Sequence, residues 1–568
     1  MPQKIRRAVL CLCGTLLLAT VALVSSNDIE RALVSDPQRS LSWGTALFRF
    51  LLAAHGLALI VFAIAGNSGP KIATNPVRYF GAASTIESKT TWRDWLILSV
   101  LTVIAIALRI WQLNTDLWFD ELLTVVNYLR LPLGDIVTSL PDQNNHLLFS
   151  VLSYFSVSLF GESAWSVRLP SVLFGVLSIW ALFILGRQII GTREALLAST
   201  LMTLSYHHIW FSQNARGYMA LLFFSLTATW IWLQALERQS WGWWLGYACA
   251  VTGGMLSHMT MVFVVAAHFS VYMATLFFGP RRPAGFNWRP FVAWTLCASL
   301  TLQLYALALP EFVRAGLHEV SLQSEWTNPW WVITETFRNL QIGFSGSLVV
   351  ASGVAMCFLG WFDLVRREWR SATLLVLPAL MAGGMMLASG HNLWPRFFFF
   401  SMGFAILVAV HGAIMSPRFV CGYVSATPRF QRLSTTSGVA LVLLMILASV
   451  VTVPRNYAHP KQDYTGARDY VESHRSPHDA VVAVGLAGVA YERYYAPGWS
   501  VAQTESELEL VRRSGGNTWL VYTLPVEVKT YRPGVWQTIQ SDFTVVKVFP
   551  GTLGGGEVVV CRQRPGDS

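Results

Sequence analysis

An Asp-Glu pair just past a long apolar segment can do two kinds of chemistry, and this chain has one at Asp120-Glu121. One carboxylate can take a proton from a hydroxyl as a general base, or the pair can offer oxygen ligands to a divalent cation. A bare acidic pair in a loop is ordinarily just solvated. Here Asp116 and Trp118-Phe119 stand immediately upstream, and the two rings would hold the pair at an apolar–water boundary. Farther along, Asp142-Gln143-Asn144-Asn145-His146 leads into a second apolar stretch. His146 could donate to a phosphate, ligate a metal, or serve only as a polar anchor. Arg168, Arg216 and Arg396 each sit at the end of an apolar segment. A guanidinium suits phosphate because it can donate two parallel N–H bonds; the alternatives are an ion pair with one of the acids, or snorkelling. His207-His208, His258 and His391 lie at similar ends and read as helix packing or capping.

Lipid-crossing helices must position these residues. Of the 568 residues 54% are hydrophobic and 13% charged, with 24 Trp and 33 Phe. A water-soluble chain needs about a quarter charged residues, so lipid contact must replace the missing charge. Stretches apolar enough to cross a roughly 30 Å hydrocarbon core fall near 8–24, 45–65, 94–111, 169–186, 195–211, 217–236 and 243–258. Others fall near 261–278, 290–309, 347–364, 372–389, 397–415 and 437–453, about thirteen in all. The first could instead be a signal peptide, since Lys4-Ile5-Arg6-Arg7 precedes it; its length favours a retained helix.

The formal charge of +10 raises the question of nucleic acid. Residues 455–568 hold 12 basic and 12 acidic side chains, so the excess lies wholly in the hydrophobic part, with 29 against 19. Basic residues between apolar segments mark cytoplasmic loops, and no basic tract or zinc pattern is present, which argues against a nucleic-acid partner. With the amino terminus inside, nineteen Lys and Arg before residue 455 fall on the inner side and ten Arg on the outer. This places Asp120-Glu121, the three arginines and residues 455–568 on the outer side. The seven cysteines show no Cys-x-x-Cys and no disulfide framework.

Residues 112–168 then form one long outer loop. Within it LLFSVLSYFSVSLF (147–160) is too short to span, and Ser150, Ser153 and Ser156 give it a polar side, as in an interfacial helix. A later outer loop, 310–346, carries Trp326, Trp330 and Trp331. Residues 455–568 read as a small α/β domain, with strands at 481–485, 518–522, 544–549 and 557–561 and helices near 464–474 and 503–513. Gly554-Gly555-Gly556 predicts a tight hairpin between the last two strands.

Asp120-Glu121, then Asn145-His146 heading a helix, then LFGESAWSVRLPSVLFGVLSIWALFILGRQIIG (159–191) resemble the GT-C glycosyltransferases. The most similar branch is the dolichyl-phosphate-mannose protein mannosyltransferase-like group, which includes lipid A aminoarabinose transferases and rhizobial lipopolysaccharide glycosyltransferases. SQNARGYMALLFF (212–224) and WPRFFFF (394–400) are similar to later segments of that family. The resemblance covers roughly 94–415 and includes the family's habit of a small outer domain after the last helix. It divides the chain into two extra helices and a cytoplasmic linker (1–93), a GT-C transmembrane catalytic module (94–454) and an extracytoplasmic α/β domain (455–568).

The resemblance implies a polytopic α-helical membrane enzyme of the cell inner or plasma membrane. It would move a sugar from a polyprenyl-phosphate donor to a cell-envelope glycan, lipid or protein acceptor at the outer face. It implies Asp120 as base or metal ligand with Glu121 beside it, and donor-phosphate contacts at Asn145 and His146. Relatives commonly carry a basic or His residue before two prolines; here Leu147-Leu148 follow His146. Arg168, Arg216 and Arg396 would neutralise the departing lipid phosphate, and a divalent metal at Asp120 and Glu121 could assist. Glu121→Gln should be milder than Asp120→Asn if Glu121 only supports its neighbour. The competing classes are a transporter or flippase of lipid-linked sugars and an inactive scaffold. Transporters place ionisable groups at mid-membrane, whereas the charges here lie near segment ends.

Overall fold

Apolar helices account for most of the chain in a computed structural model that describes residues 3–65, 90–141, 144–278, 287–316, 328–344, 346–390, 394–424 and 427–564. Among these residues eight helices are long and apolar enough to cross a membrane. A ninth is formed if Arg289–Tyr305 and Leu309–Ala315, which meet at 82°, make one span. Exposed Phe50, Val103, Leu159, Leu444 and Leu447 ring the outside of the bundle; a surface this apolar is what lipid contact requires. The protein is a multi-pass membrane protein.

All thirteen apolar stretches become helix, but not thirteen separate full-length spans. Residues 347–364 and 372–389 both lie in the stretch Ser347–Ala388, where non-helical backbone at Glu368 kinks the chain and separates two helices. Residues 195–211 divide into Thr192–Thr203 and Tyr206–Ser212, the second capped by the Ser205 hydroxyl. The carbonyl that this break frees on Thr203 accepts a bond from buried Arg109, whose Nη2 also lies 2.6 Å from His208 Nδ1. His208 is thus the structural histidine that its position predicts.

The centre of the bundle packs around Ala164–Ile189 and Tyr218–Arg238, with Phe183 and Trp232 fully buried. The two amino-terminal helices, Gln3–Leu23 and Trp43–Ala65, cross at a pair of glycines. A Cβ on Gly14 would lie 2.6 Å from the Gly56 carbonyl oxygen, so only glycine permits that approach. Between them Arg39 reaches Asp135 at 3.4 Å and Glu311 at 3.2 Å, tying this pair to the short helices Leu133–Thr138 and Leu309–Gly316.

The fourteen-residue helix Leu147–Phe160 forms as expected and stops at Gly161, whose φ is +82°. Its serine side faces inward rather than toward water: Ser153 Oγ donates to the Val167 carbonyl and Ser156 Oγ to that of Ser166. Phe155, Leu159 and Phe160 are exposed on the opposite side. A short helix at a lipid boundary hides its hydroxyls against protein and turns its rings outward.

The carboxy-terminal sheet contains the four expected strands, Ala480–Val484 (β1), Thr518–Thr523 (β3), Phe543–Phe549 (β4) and Val558–Gln563 (β5), plus Ser500–Ala502 (β2). Its order is β2-β1-β3-β5-β4, parallel through β2, β1 and β3 and antiparallel thereafter. β2 has three residues, too few for alternation to reveal it. The glycine turn is not a tight hairpin, because eight residues, 550–557, join β4 to β5. They are spent on docking: Thr552 N and Leu553 N donate to the Pro460 and Lys461 carbonyls, and Trp210 Nε1 donates to Thr552 Oγ1.

Candidate functional site

The loop that follows Trp92–Ile110 folds around Glu121. The short helix Phe119–Thr124 begins there, and Trp118 N donates to Glu121 Oε2. Arg168 grips the same carboxylate with two parallel bonds, Nε to Oε1 at 3.0 Å and Nη2 to Oε2 at 2.6 Å, while Ala215 N donates to Oε1. Burial by itself would raise the Glu121 carboxyl, but the charges of Arg168 and Lys461 and the N–H donors outweigh it and hold the group below its ordinary value. The remaining N–H groups of Arg168 go to the Leu113, Thr115 and Asp116 carbonyls and the Thr115 hydroxyl. All five guanidinium hydrogens are thereby used inside the loop. The phosphate role expected of Arg168 is not met in this arrangement, because its donors fold the loop instead.

Asp120 turns elsewhere. Its Oδ2 lies 3.1 Å from Arg396 Nη1, and the side chain keeps partial access to solvent. Arg396 comes from the 3₁₀ turn Pro395–Ser401. Its guanidinium stands over the Trp394 ring at 4.7 Å and near Trp118 and Phe397 at 5.8 and 5.9 Å, while its Nε is buried without a partner. Three rings around a cation leave its charge little hydrated and directed at the carboxylate.

Arg216 and His146 complete the cluster. Arg216 Nη1 donates to the Asn144 carbonyl and side-chain oxygen and, at 3.4 Å, to Thr124 Oγ1; its buried Nε has no partner. His146 Nδ1 lies 2.7 Å from the Ser257 carbonyl oxygen. A carbonyl only accepts, so the proton sits on Nδ1 and the buried Nε2, which has no partner, presents a lone pair. Burial first, then Arg216 and His258, hold this imidazole well below its ordinary value. Gly217 makes the arrangement possible. A Cβ there would lie 2.2 Å from the Ser257 oxygen and 2.8 Å from His146 Nδ1. The His258 ring stands 5.1 Å from that of His146, and Tyr218 stands 5.4 Å from both. One acidic oxygen, two guanidiniums, two imidazoles and a phenol thus gather at one end of the bundle.

Asn145 does not join them. Its Nδ2 donates to the Ile136 and Ser139 carbonyls and its Oδ1 accepts from Ser150 Oγ, so the carboxamide holds the turn instead of reaching a phosphate. Asp116 is equally occupied, accepting from Thr465 N at 2.7 Å and Thr465 Oγ1 at 2.8 Å. Asp142, Trp326 and His391 lie outside the described residues. Of residues 310–346, Trp331 meets Trp394 at 5.8 Å, which brings Pro329–Phe344 beside Arg396. The Asp120-Glu121 pair does not fit a shared cation, since both Glu121 oxygens already accept N–H bonds. Among the described residues no three His, Cys, Asp or Glu side chains come together as ligands.

His258 and Tyr218 are the members that sequence reasoning missed. Tyr218 had a signal, since it directly follows Arg216-Gly217. His258 had none, because a histidine ending an apolar helix looks the same whether it packs or faces a cavity.

Residues 146–304 match the sequence model of a family described as dolichyl-phosphate-mannose-protein mannosyltransferase. The resemblance read in the sequence holds over that segment. Among curated proteins none matches. The structure is similar to that of ArnT from Cupriavidus metallidurans in the apo state, at 15% identity and TM-score 0.49, covering 83% of this chain and 98% of that one. It is also similar to ArnT from the same organism bound to undecaprenyl phosphate, at 13% identity and TM-score 0.46, over 84% and 99%. The archaeal oligosaccharyltransferase AglB from Archaeoglobus fulgidus, in complex with an inhibitory peptide and a dolichol-phosphate, is similar at 11% identity and TM-score 0.49, over 84% and 75%.

Proposed function

We propose that this protein is a membrane glycosyltransferase that moves a sugar from a polyprenyl-phosphate donor to an acceptor hydroxyl at the outer face of the membrane. The observation that carries the reading is the Asp120–Arg396 contact set among Arg216, His146, His258 and Tyr218. A carboxylate that can take a proton stands beside positive charge that can receive a phosphate. The matched family description supports a lipid-phosphate sugar as donor.

In this reading the donor phosphate lies between Arg216 and Arg396, whose buried Nε groups have hydrogens to give. The acceptor oxygen attacks the anomeric carbon as Asp120 removes its proton. The bond from that carbon to the phosphate oxygen breaks, and the polyprenyl phosphate leaves with the bonding pair. Two guanidiniums stabilise the charge that develops on it. His146 Nε2, as an acceptor, orients a hydroxyl of the sugar or the acceptor. The module 94–454 carries this chemistry, and residues 455–568 stand outside the cytoplasm. Incubation of the purified protein with a panel of polyprenyl-phosphate sugars tests it. Release of free lipid phosphate, dependent on Asp120 and on an added acceptor, is expected; no release from any donor would overturn the reading.

A further inference from the structure

The backbone just before Asp120 is held from two sides, by Arg168 of the membrane bundle at the Asp116 carbonyl and by the carboxy-terminal domain along 116–119. Leu117 N donates to Tyr495 Oη at 2.8 Å, and the same hydroxyl donates to the Leu117 carbonyl at 3.0 Å. Phe119 N donates to Gln462 Oε1 at 2.8 Å. Asp116 takes both donors of Thr465. Three residues of the domain therefore fix the stretch 116–119, and Asp120 comes next.

Gln462 is the centre of this grip. It is fully buried. Its Oε1 accepts from Phe119 N and, at 3.1 Å, from the Tyr464 hydroxyl, while its Nε2 donates to Thr523 Oγ1 at 2.8 Å. Thr523 is the last residue of β3, the middle strand of the sheet. A continuous line of bonds thus runs from the sheet through one carboxamide to the peptide that begins the Asp120 helix. Behind it, Tyr464 and Tyr495 stack with ring centres 5.1 Å apart, and Ala487 and Tyr491 pack in one core with Leu117 and Leu122. The carboxylate itself has Arg396 as its ion-pair partner. Its place depends on where the 116–119 backbone stands.

We propose that Gln462, together with Thr465 and Tyr495, is a positioning residue of the active site, and that the carboxy-terminal domain serves to set the Asp120 carboxylate against Arg396. The inference rests on the glycosyltransferase reading for its kinetic consequence, but not for its structural one. A general base must stand within hydrogen-bond reach of its proton, and a displacement of about 1 Å costs up to about 100-fold in rate. None of these side chains needs to touch a substrate to matter that much.

The test uses the full-length protein in detergent and compares Gln462→Leu, which fills the volume but accepts nothing, with Gln462→Glu, which keeps an acceptor for Phe119 N. Tyr495→Phe, which keeps the ring, is a second probe, and Arg513→Ala on an exposed helix is the control. Hydrogen exchange of the 117–119 amides needs no substrate. It should quicken about tenfold or more in Gln462→Leu and Tyr495→Phe, and stay near wild type in Gln462→Glu and Arg513→Ala. In transfer assays kcat should fall about 10- to 100-fold in Gln462→Leu, with donor KM within about twofold of wild type, and Gln462→Glu should recover most of it. Unchanged exchange at 117–119 would overturn the proposal, as would quickened exchange with unchanged kcat. Exchange that quickens throughout the chain would also overturn it, because Gln462 would then be holding the fold and not the loop. A wild-type protein that transfers no sugar would overturn the functional reading, while the exchange arm would still decide whether the domain positions the loop.

Discussion

The Glu121 carboxylate and the Arg168 guanidinium meet edge to edge, at 3.0 and 2.6 Å, with no part of either side chain reaching solvent. The two residues belong to different parts of the fold, one to the short helix Phe119–Thr124 and one to a central helix of the bundle. Removing one partner of such a pair strands the other charge in a low-dielectric interior, which costs roughly 3–5 kcal/mol. Glu121→Gln or Arg168→Met should therefore sharply lower the yield and thermal stability of folded protein, reversing the expectation that Glu121→Gln is mild. The double variant Glu121→Leu with Arg168→Met should recover part of the loss. Thermal unfolding followed by size-exclusion of the detergent-solubilised protein reads this directly. A single Glu121→Gln variant as stable as wild type would mean that the pair does not close the loop.

Asp120→Asn should behave in the opposite way. Asp120 is partly open to solvent, so losing its ion pair with Arg396 should cost far less stability than breaking the Glu121–Arg168 pair, about 1 kcal/mol or less. Sugar transfer should drop by about 10²–10⁴-fold, the usual size of general-base loss. Equal transfer by the variant and wild type would remove Asp120 from the mechanism.

Much of this was legible in the chain, and the reasons it was not all legible are physical. The helices follow from hydropathy because lipid leaves the backbone few other options. The expected orientation rests on where Lys and Arg lie. Asp120, Arg216, Arg396 and His146 could be grouped from the sequence because each ends or follows an apolar segment. What such reasoning cannot separate is neighbours one residue apart. Asp120 and Glu121 look like a pair in sequence, yet adjacent positions on a helix point about 100° apart, and Glu121 is turned into the protein while Asp120 keeps partial access to solvent. Asn145 and His146 are both buried and differ in partners, since the Asn145 carboxamide is fully bonded in the turn while His146 Nε2 has no partner. Gln462 and Lys461 carried no signal, because their partners in the membrane module lie about 250 or more residues away in the chain.

Arg216 and Arg396 should govern the donor. Charge-assisted hydrogen bonds are worth about 1.5–3 kcal/mol each, which is roughly 10- to 100-fold in kcat/KM. Arg396→Gln and Arg216→Gln should each lose that much and should weaken inhibition by free polyprenyl phosphate in parallel. Lysine at either position should recover only part, since it lacks the planar fork. Inhibition that is unaltered in both variants would place the phosphate elsewhere.

The orientation has its own check. The nineteen-to-ten division of basic residues predicts that a reporter fused after residue 460 is active only outside the cytoplasm and that one placed within 279–289 is active only inside. Both reporters on one side would reverse the assignment of the site to the outer face.

Lys461 supplies a pH dependence whose sign can be stated in advance. Its ammonium is buried where the carboxy-terminal domain meets the membrane module, donating to the Gln213 carbonyl and lying 5.1 Å from the Trp210 ring centre. Burial drives its pKa down to about 7; nearby Glu121 opposes that fall and Arg168 adds to it. An unfolded lysine titrates near 10.4. Between about pH 7 and that value the unfolded chain holds a proton that the folded chain has shed, so folding becomes more favourable as pH rises. The gain is complete above the unfolded value and is lost as pH falls to about 7. Lys461→Met has nothing to titrate there. The stability of wild type relative to Lys461→Met should therefore climb with pH above 7, by up to ~1.4 kcal/mol per unit, when unfolding is followed at pH 6.5, 7.5 and 8.5. Two curves that stay parallel over that range would show that Lys461 keeps its proton in the folded protein, and the contact between the two parts would then be an ordinary charged one.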